Sequence, residues 1–220
     1  GAGYERVQKK LPGGKITTYI GELAEVNEAG EWTDYLFLGD RRIATVQNGA
    51  TYYNVSDHLS SAALVLDSAG AVVQKLDYLP YGSERVNVKT AGFDTHFTYT
   101  DQEKDVESGL LYYGARYYHP ALGRFTQPDP IVLNTNSPLF RIALANPQLL
   151  NPYSYVANNP LKYEDPFGMW PESNNPFGVS NEFFRVFAAP FLALGGAVKD
   201  LGAYGMEEGL FEGNFLEVMG

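Results

Sequence analysis

Residues 97–130 read FTYTDQEKDVESGLLYYGARYYHPALGRFTQPDP, and the arrangement of one arginine and one aspartate inside this stretch sets the expectations for the rest of the chain. Tyr112, Tyr113, Tyr117 and Tyr118 flank Arg116 in a short apolar run, which predicts a guanidinium held by ring packing or by a carboxylate. A buried arginine needs an acidic partner. Asp129 stands between Pro128 and Pro130, and further on Asp165 precedes Pro166, so both carboxylates sit on backbone with few accessible conformations. Stiff chain positions a side chain well.

Upstream, residues 15–88 alternate short β-rich runs with turn residues and repeat loosely on themselves. TTYIGELAEVNEAGEWTDYLFLGDRRIATVQNGATYY reads as strand, Asn-Glu-Ala-Gly turn, strand, Gly39-Asp40 turn, strand, Asn48-Gly49 turn, strand, and AALVLDSAGAVVQKLDYLPYGSE pivots on residues 67–70. Asn-Gly and Gly-Asp pairs supply the positive φ that tight hairpin turns require. Tyr19, Tyr35, Tyr53 and Tyr78 recur 16, 18 and 25 residues apart, each in or at the end of a run that leads into a turn. A tyrosine there can lay its ring on the sheet and keep its hydroxyl in water or bonded to a neighbouring strand. Any antiparallel meander would also show this spacing.

Composition agrees with a folded β body. Of the 220 residues 45% are hydrophobic and 14% aromatic, and 23 Gly with 13 Pro fit many short strands joined by turns. A net charge of -10 without any Lys/Arg-rich run removes the attraction that dominates nucleic-acid binding, so nucleic acid is not an expected partner. Cysteine is absent and His58, His96 and His119 lack ligand spacing, so no metal, cofactor or disulfide is expected. The opening GAGYERV has neither an initiator Met nor an apolar secretion segment, which is the look of a piece from something longer.

Three motifs in order carry a family resemblance. Residues 97–130 resemble the RHS repeat-associated core, whose usual form runs from an acidic T-G-L step through A-R-Y-Y-x-P-x-x-G-R-F to P-D-P. Residues 56–84, SDHLSSAALVLDSAGAVVQKLDYLPYGSE, are similar to the D-H-L-G-S repeat, and residues 146–168, NPQLLNPYSYVANNPLKYEDPFG, to the closing N-x-Y-x-Y-V-x-N-N-P-x-x-x-x-D-P-x-G element. The chain thus resembles the C-terminal end of a bacterial RHS-repeat (YD-repeat) protein of the polymorphic-toxin or Tc-toxin type. That resemblance implies a mainly β fold, with antiparallel YD-repeat hairpins forming the end of a spiralling β-sheet shell over residues 1–90, a repeat-associated core that plugs it over residues 91–169, and a variable, partly helical tail over residues 170–220.

The resemblance also implies chemistry. In relatives of the Tc-toxin type an Arg of the R-Y-Y block and the Asp residues of P-D-P and D-P-x-G are implicated in self-cleavage; matched by motif, these are Arg116, Asp129 and Asp165, with the scissile bond between Met169 and Trp170. Two carboxylates within about 3 Å cannot both ionise, so one serves as acid while the other activates water, as in aspartic proteases. Against this stands a plain structural alternative, in which Asp129 and Asp165 cap turns and Arg116 bridges them as a buried ion pair. Two departures from the family pattern bear on the choice: residues 131–150 lengthen the path between the two aspartates, and Met169 replaces the usual Leu. A second Pro-Phe-Gly carries Asn175 where Asp165 stands in the first, which makes that copy a plain turn.

The last 51 residues hold seven acidic and two basic side chains, with Phe183, Phe184, Phe187, Phe191, Leu194, Val198 and Leu201 at helical spacing. The uncharged run of 13 residues, 186–198, is too short to span a bilayer. The tail lacks His and Cys, the usual residues of nuclease or deaminase chemistry. Two functions follow from the resemblance. One is a secreted or cell-surface toxin shell whose partners are its own C-terminal cargo, the remaining shell and a secretion apparatus; the other is a non-catalytic structural or adhesive surface protein.

Overall fold

The computed structural model describes residues 6–173 apart from 12, 91, 134, 136–139, 141–143, 145–147, 170 and 171. Trp170 and the helical pattern of the tail lie outside the described residues. Nine strands follow one another: β1 (Gln8–Lys10), β2 (Ile16–Ile20), β3 (Ala24–Asn27), β4 (Trp32–Leu38), β5 (Arg41–Gln47), β6 (Ala50–Ser56), β7 (Ala62–Leu66), β8 (Val72–Tyr78) and β9 (Glu84–Lys89). Each pairs antiparallel with the next, so the sheet is a meander in chain order. A second sheet comprises β10 (Glu103–Asp105), β11 (Leu110–Tyr112), β12 (Tyr117–His119) and β13 (Arg124–Phe125), and β14 (Tyr163–Glu164) pairs with β15 (Glu172–Ser173). The fold is mainly antiparallel β, as the sequence predicts, and no helix among the described residues is long and apolar enough to cross a membrane.

Turn chemistry explains the meander. Asn27, Asp57 and Asp67 repeat one device, in which the side-chain Oδ1 accepts hydrogen bonds from the backbone N–H groups two and four residues on, at 2.8–3.0 Å. Each of these turns then passes through a left-handed residue, Gly30, Ser60 or Gly70, which closes the hairpin. At Asn48-Gly49 both residues have positive φ and Gln47 pairs directly with Ala50, the two-residue turn that the sequence predicts. Two details differ. The first run splits into β2 and β3 at Gly21, whose φ of +55° lets the chain reverse, and a polar strand, β1, precedes residue 15. Lys9 of β1 and the adjoining Arg6 reach Glu103 and Asp105, so ion pairing rather than apolar alternation holds that strand.

The recurring tyrosines do not share one face. Tyr35 is buried edge-on against Phe97, and Tyr78 packs near Tyr99. Tyr19 donates its hydroxyl to Glu103 at 2.7 Å. In β6 the ring that stacks on the core, against Phe93, belongs to Tyr52, while Tyr53 points to the opposite side and is 49% exposed. A strand's period of two makes neighbouring positions face opposite ways, which the tyrosine spacing alone does not resolve.

The larger core lies under the second sheet. Tyr99, Leu111, Tyr113, Tyr118, Phe125, Leu149, Tyr155, Val156 and Tyr163 are buried together, with Tyr78 at the end of β8 and Tyr81 in the turn after it packed against them. Aromatic rings bury large areas, and most of these meet edge-on or tilted, the favoured geometry. Tyr99 and Tyr118 donate to the carbonyls of Pro80 and Tyr81, both at 2.9 Å, tying this core to the turn after β8. The packing leaves no space beside Tyr99: a Cβ on Gly82 would meet its ring at 2.5 Å.

Candidate functional site

Arg116 closes the short connection between β11 and β12. Gly114 takes a φ of +74° there, Ala115 N donates to the Tyr113 carbonyl at 2.9 Å and Tyr113 N to the Arg116 carbonyl at 3.0 Å, a turn that aims the Arg116 side chain inward. The residue is only 3% exposed. Its guanidinium carbon lies 3.6 Å from the centroid of Phe125, across the β12–β13 pairing. The flanking tyrosines do something else: Tyr112 and Tyr117 lie against the Arg6 guanidinium, while Tyr113 and Tyr118 enter the core.

Both predicted carboxylates converge on this arginine. Arg116 Nη2 is 3.0 Å from Asp165 Oδ2 and 3.1 Å from Asp129 Oδ2, so one nitrogen bridges residues separated by the long connection over 131–150. That insertion does not carry Asp165 away. Asp165 is 1% exposed, whereas the Asp129 side chain keeps 13% of its surface open. Main-chain atoms complete the set: Arg116 Nη1 donates to the Pro152 carbonyl at 3.2 Å, and Arg116 Nε donates to the Gly168 carbonyl. Asp129 N donates to the same Pro152 carbonyl at 2.8 Å, which ties the Pro-Asp-Pro step to residues 151–155.

The segment expected to be cut is held at several points. Asp165 Oδ1 accepts from Met169 N–H at 2.8 Å. Gln102 Nε2 donates to the Pro166 carbonyl at 3.2 Å and Ala115 N to the Phe167 carbonyl at 3.1 Å. Residues 165–169 follow β14 directly, so Met169 is the last described residue on the near side of the expected cut. Neighbouring hydroxyls stay neutral, because burial pushes the Tyr113 and Tyr155 phenols well above their usual range while Tyr113 shares a hydrogen bond with Thr100 at 2.7 Å. Sequence reasoning did not anticipate Phe125, the Pro152 carbonyl or the Gly168 carbonyl. Backbone acceptors leave no signature in residue identity, although the glycine of Pro-Phe-Gly was a signal that the chain comes close to something at that point.

The Teneurin YD-shell family profile matches residues 31–161, more than half of the chain, from β4 through the aromatic core up to but not including Tyr163. This chain belongs to the YD-shell family. Among YD-shell relatives, Salivary gland surface protein 1 of Aedes aegypti is 40% identical over 120 residues, covering 53% of this chain and 3% of that protein. Toxin subunit YenC2 of Yersinia entomophaga is 31% identical over 180 residues, covering 76% of this chain and 17% of the relative. The solved structure of TcdB2-TccC3-Cdc42 superposes with a TM-score of 0.56 at 25% identity, over 70% of this chain and 8% of that one. The chain therefore spans under a fifth of each of these relatives. Relatives include an insect protein as well as bacterial toxin components.

Proposed function

We propose that this YD-shell segment helps enclose the sequence that follows it and cuts its own chain between Met169 and Trp170, using Asp129 and Asp165 as the acid–base pair and Arg116 to position both. The observation that carries the reading is that a single guanidinium nitrogen contacts both carboxylates while Asp165 also holds the Met169 amide. In the reaction water adds to the Met169 carbonyl carbon and gives its proton to one carboxylate. The C–N bond then breaks as the other carboxyl passes its proton to the Trp170 nitrogen, leaving a carboxyl on Met169 and an amine on Trp170. Asp129, the more open of the two, is the side from which water reaches the pair.

A closed sheet removes edges that would otherwise aggregate and separates what it encloses from the producing cell. On this reading the partners are the chain's own segment beyond residue 169, the remaining shell and a secretion apparatus, and the protein works outside the cell or at its surface. Toxin-named relatives such as YenC2 support it. A second reading draws on the surface-protein relative and on the four bonds that Arg116 makes: the same set is a clasp that locks residues 152, 129 and 165–168 together and cuts nothing. Conversion of Asp129 or Asp165 to Asn separates the two. Self-cleavage requires that each change stop processing of the full chain; continued processing in either variant ends the dyad assignment.

A further inference from the structure

Gly168 occupies a place that no other residue fits. Its φ is +69°, a left-handed conformation that L side chains rarely adopt, and a Cβ there would lie 2.6 Å from the Tyr113 carbonyl oxygen, 3.0 Å from Tyr113 Cβ and 3.1 Å from Arg116 N. Two of these three neighbours are backbone, in the turn that presents Arg116. That turn cannot yield easily, since the Tyr113 carbonyl already accepts from Ala115 N and the Tyr113 ring is fully buried. The peptide that follows is gripped by both ends: Arg116 Nε holds the Gly168 carbonyl, and Asp165 Oδ1 holds the Met169 N–H.

We infer that residue 168 is the specificity-determining position of the self-cleaving site: the clasp of Tyr113, Arg116 and Asp165 admits only glycine there and, by anchoring the 168–169 peptide, presents the next peptide bond as the one that is cut. This rests on the self-cleavage reading. It adds that the bond is chosen by its distance from the clasped glycine and not by the side chains on either side of it. Only the glycine is read through its shape; the Pro166 and Phe167 contacts are made to main-chain oxygens, and the Phe167 side chain is 51% exposed.

Three chains test this, each followed by intact mass over time. Gly168→Ala is expected to slow processing by about a hundredfold, from the left-handed backbone and the overlap together. Leu161→Ala, at an exposed position off the clasp, is expected to process within about twofold of the parent, as surface changes do. Insertion of one glycine between Gly168 and Met169 is expected to move the cut to the bond between the inserted glycine and Met169. Cleavage still falling between Met169 and Trp170 in that chain, or no cleavage at all, overturns the inference, as does Gly168→Ala processing at the parental rate. A second readout does not depend on cutting: in an Asp129→Asn background, hydrogen exchange of the Met169 amide is expected to speed by tenfold or more when Gly168→Ala is added, as loss of a local hydrogen bond implies. Unchanged protection overturns the clasp. A parent chain that stays whole while this protection is lost rejects self-cleavage and leaves the clasp standing.

Discussion

Arg116 and Arg42 are both buried against aromatic rings, and the contrast between their surroundings separates a candidate site from a prop. Arg42, 6% exposed on β5, lies 3.5 Å over Phe97 and 4.4 Å over Tyr35, as close as Arg116 lies over Phe125. Yet Arg42 has Asp101 at 3.1 Å as its acidic partner, and its Nη1 finds no hydrogen-bond acceptor among the described residues. Arg116 instead collects two carboxylates and two carbonyls from three segments of the chain, around residues 129, 152 and 165–168. Ring packing and burial are thus common to both arginines. What distinguishes Arg116 is the convergence of charge on the loop that carries residues 165–169.

The largest expected difference is in stability. Arg116→Met leaves two carboxylates buried beside an apolar side chain and should cost about 3–5 kcal/mol, whereas Arg42→Met strands one carboxylate, Asp101, which keeps a quarter of its side-chain surface open, and should cost less. Urea unfolding followed by tyrosine fluorescence measures both, and equal losses would break the contrast. Next comes Asp165→Asn, which is expected to abolish processing while costing roughly 1–3 kcal/mol, the penalty for disturbing one buried hydrogen-bonded group. A stability loss as large as that of Arg116→Met would mark Asp165 as chiefly a structural partner.

Phe125→Leu and Phe97→Leu each remove one ring from an arginine, and each should cost about 1–2 kcal/mol, since the ring contact is what the two sites share. The smallest effect concerns pH. Burial pushes the Asp101 carboxyl above its usual range, with Arg42 pulling the other way. A carboxyl whose folded value exceeds its unfolded one opposes folding when ionised, so its contribution is fully present below the ordinary carboxylate range and is lost as pH rises through the raised value. Asp101→Asn should therefore remove this group's share of the pH dependence, so that thermal stability falls less, relative to the parent, as pH rises through the raised value; an unchanged pH profile would show that Asp101 plays no part in it.

Much of this was legible in the sequence because the signals were local. Asn27, Asp67, Gly30, Gly49 and Gly70 announce turns by their own conformational preferences, and the runs between them form the successive strands β4–β8. Arg116, Asp129 and Asp165 stood out through their proline, tyrosine and motif context, and the fold brings them together. What sequence did not give was long-range and impersonal: which ring covers Arg116, which carbonyls finish its shell, and that Arg6 and Lys9 hold a strand with no apolar alternation. A left-handed turn at residues 156–158 was equally invisible, since Val156 and Ala157 have no preference for positive φ and are held there by the surrounding core.

Intact mass of the full chain, incubated at neutral and at mildly acidic pH, tests the self-cleavage account most directly. Division into fragments of 169 and 51 residues in the parent, with a single undivided species for Asp165→Asn, is the predicted result. A parent chain that persists whole at 24.3 kDa under both conditions would contradict it and leave the Arg116 clasp a structural fastening.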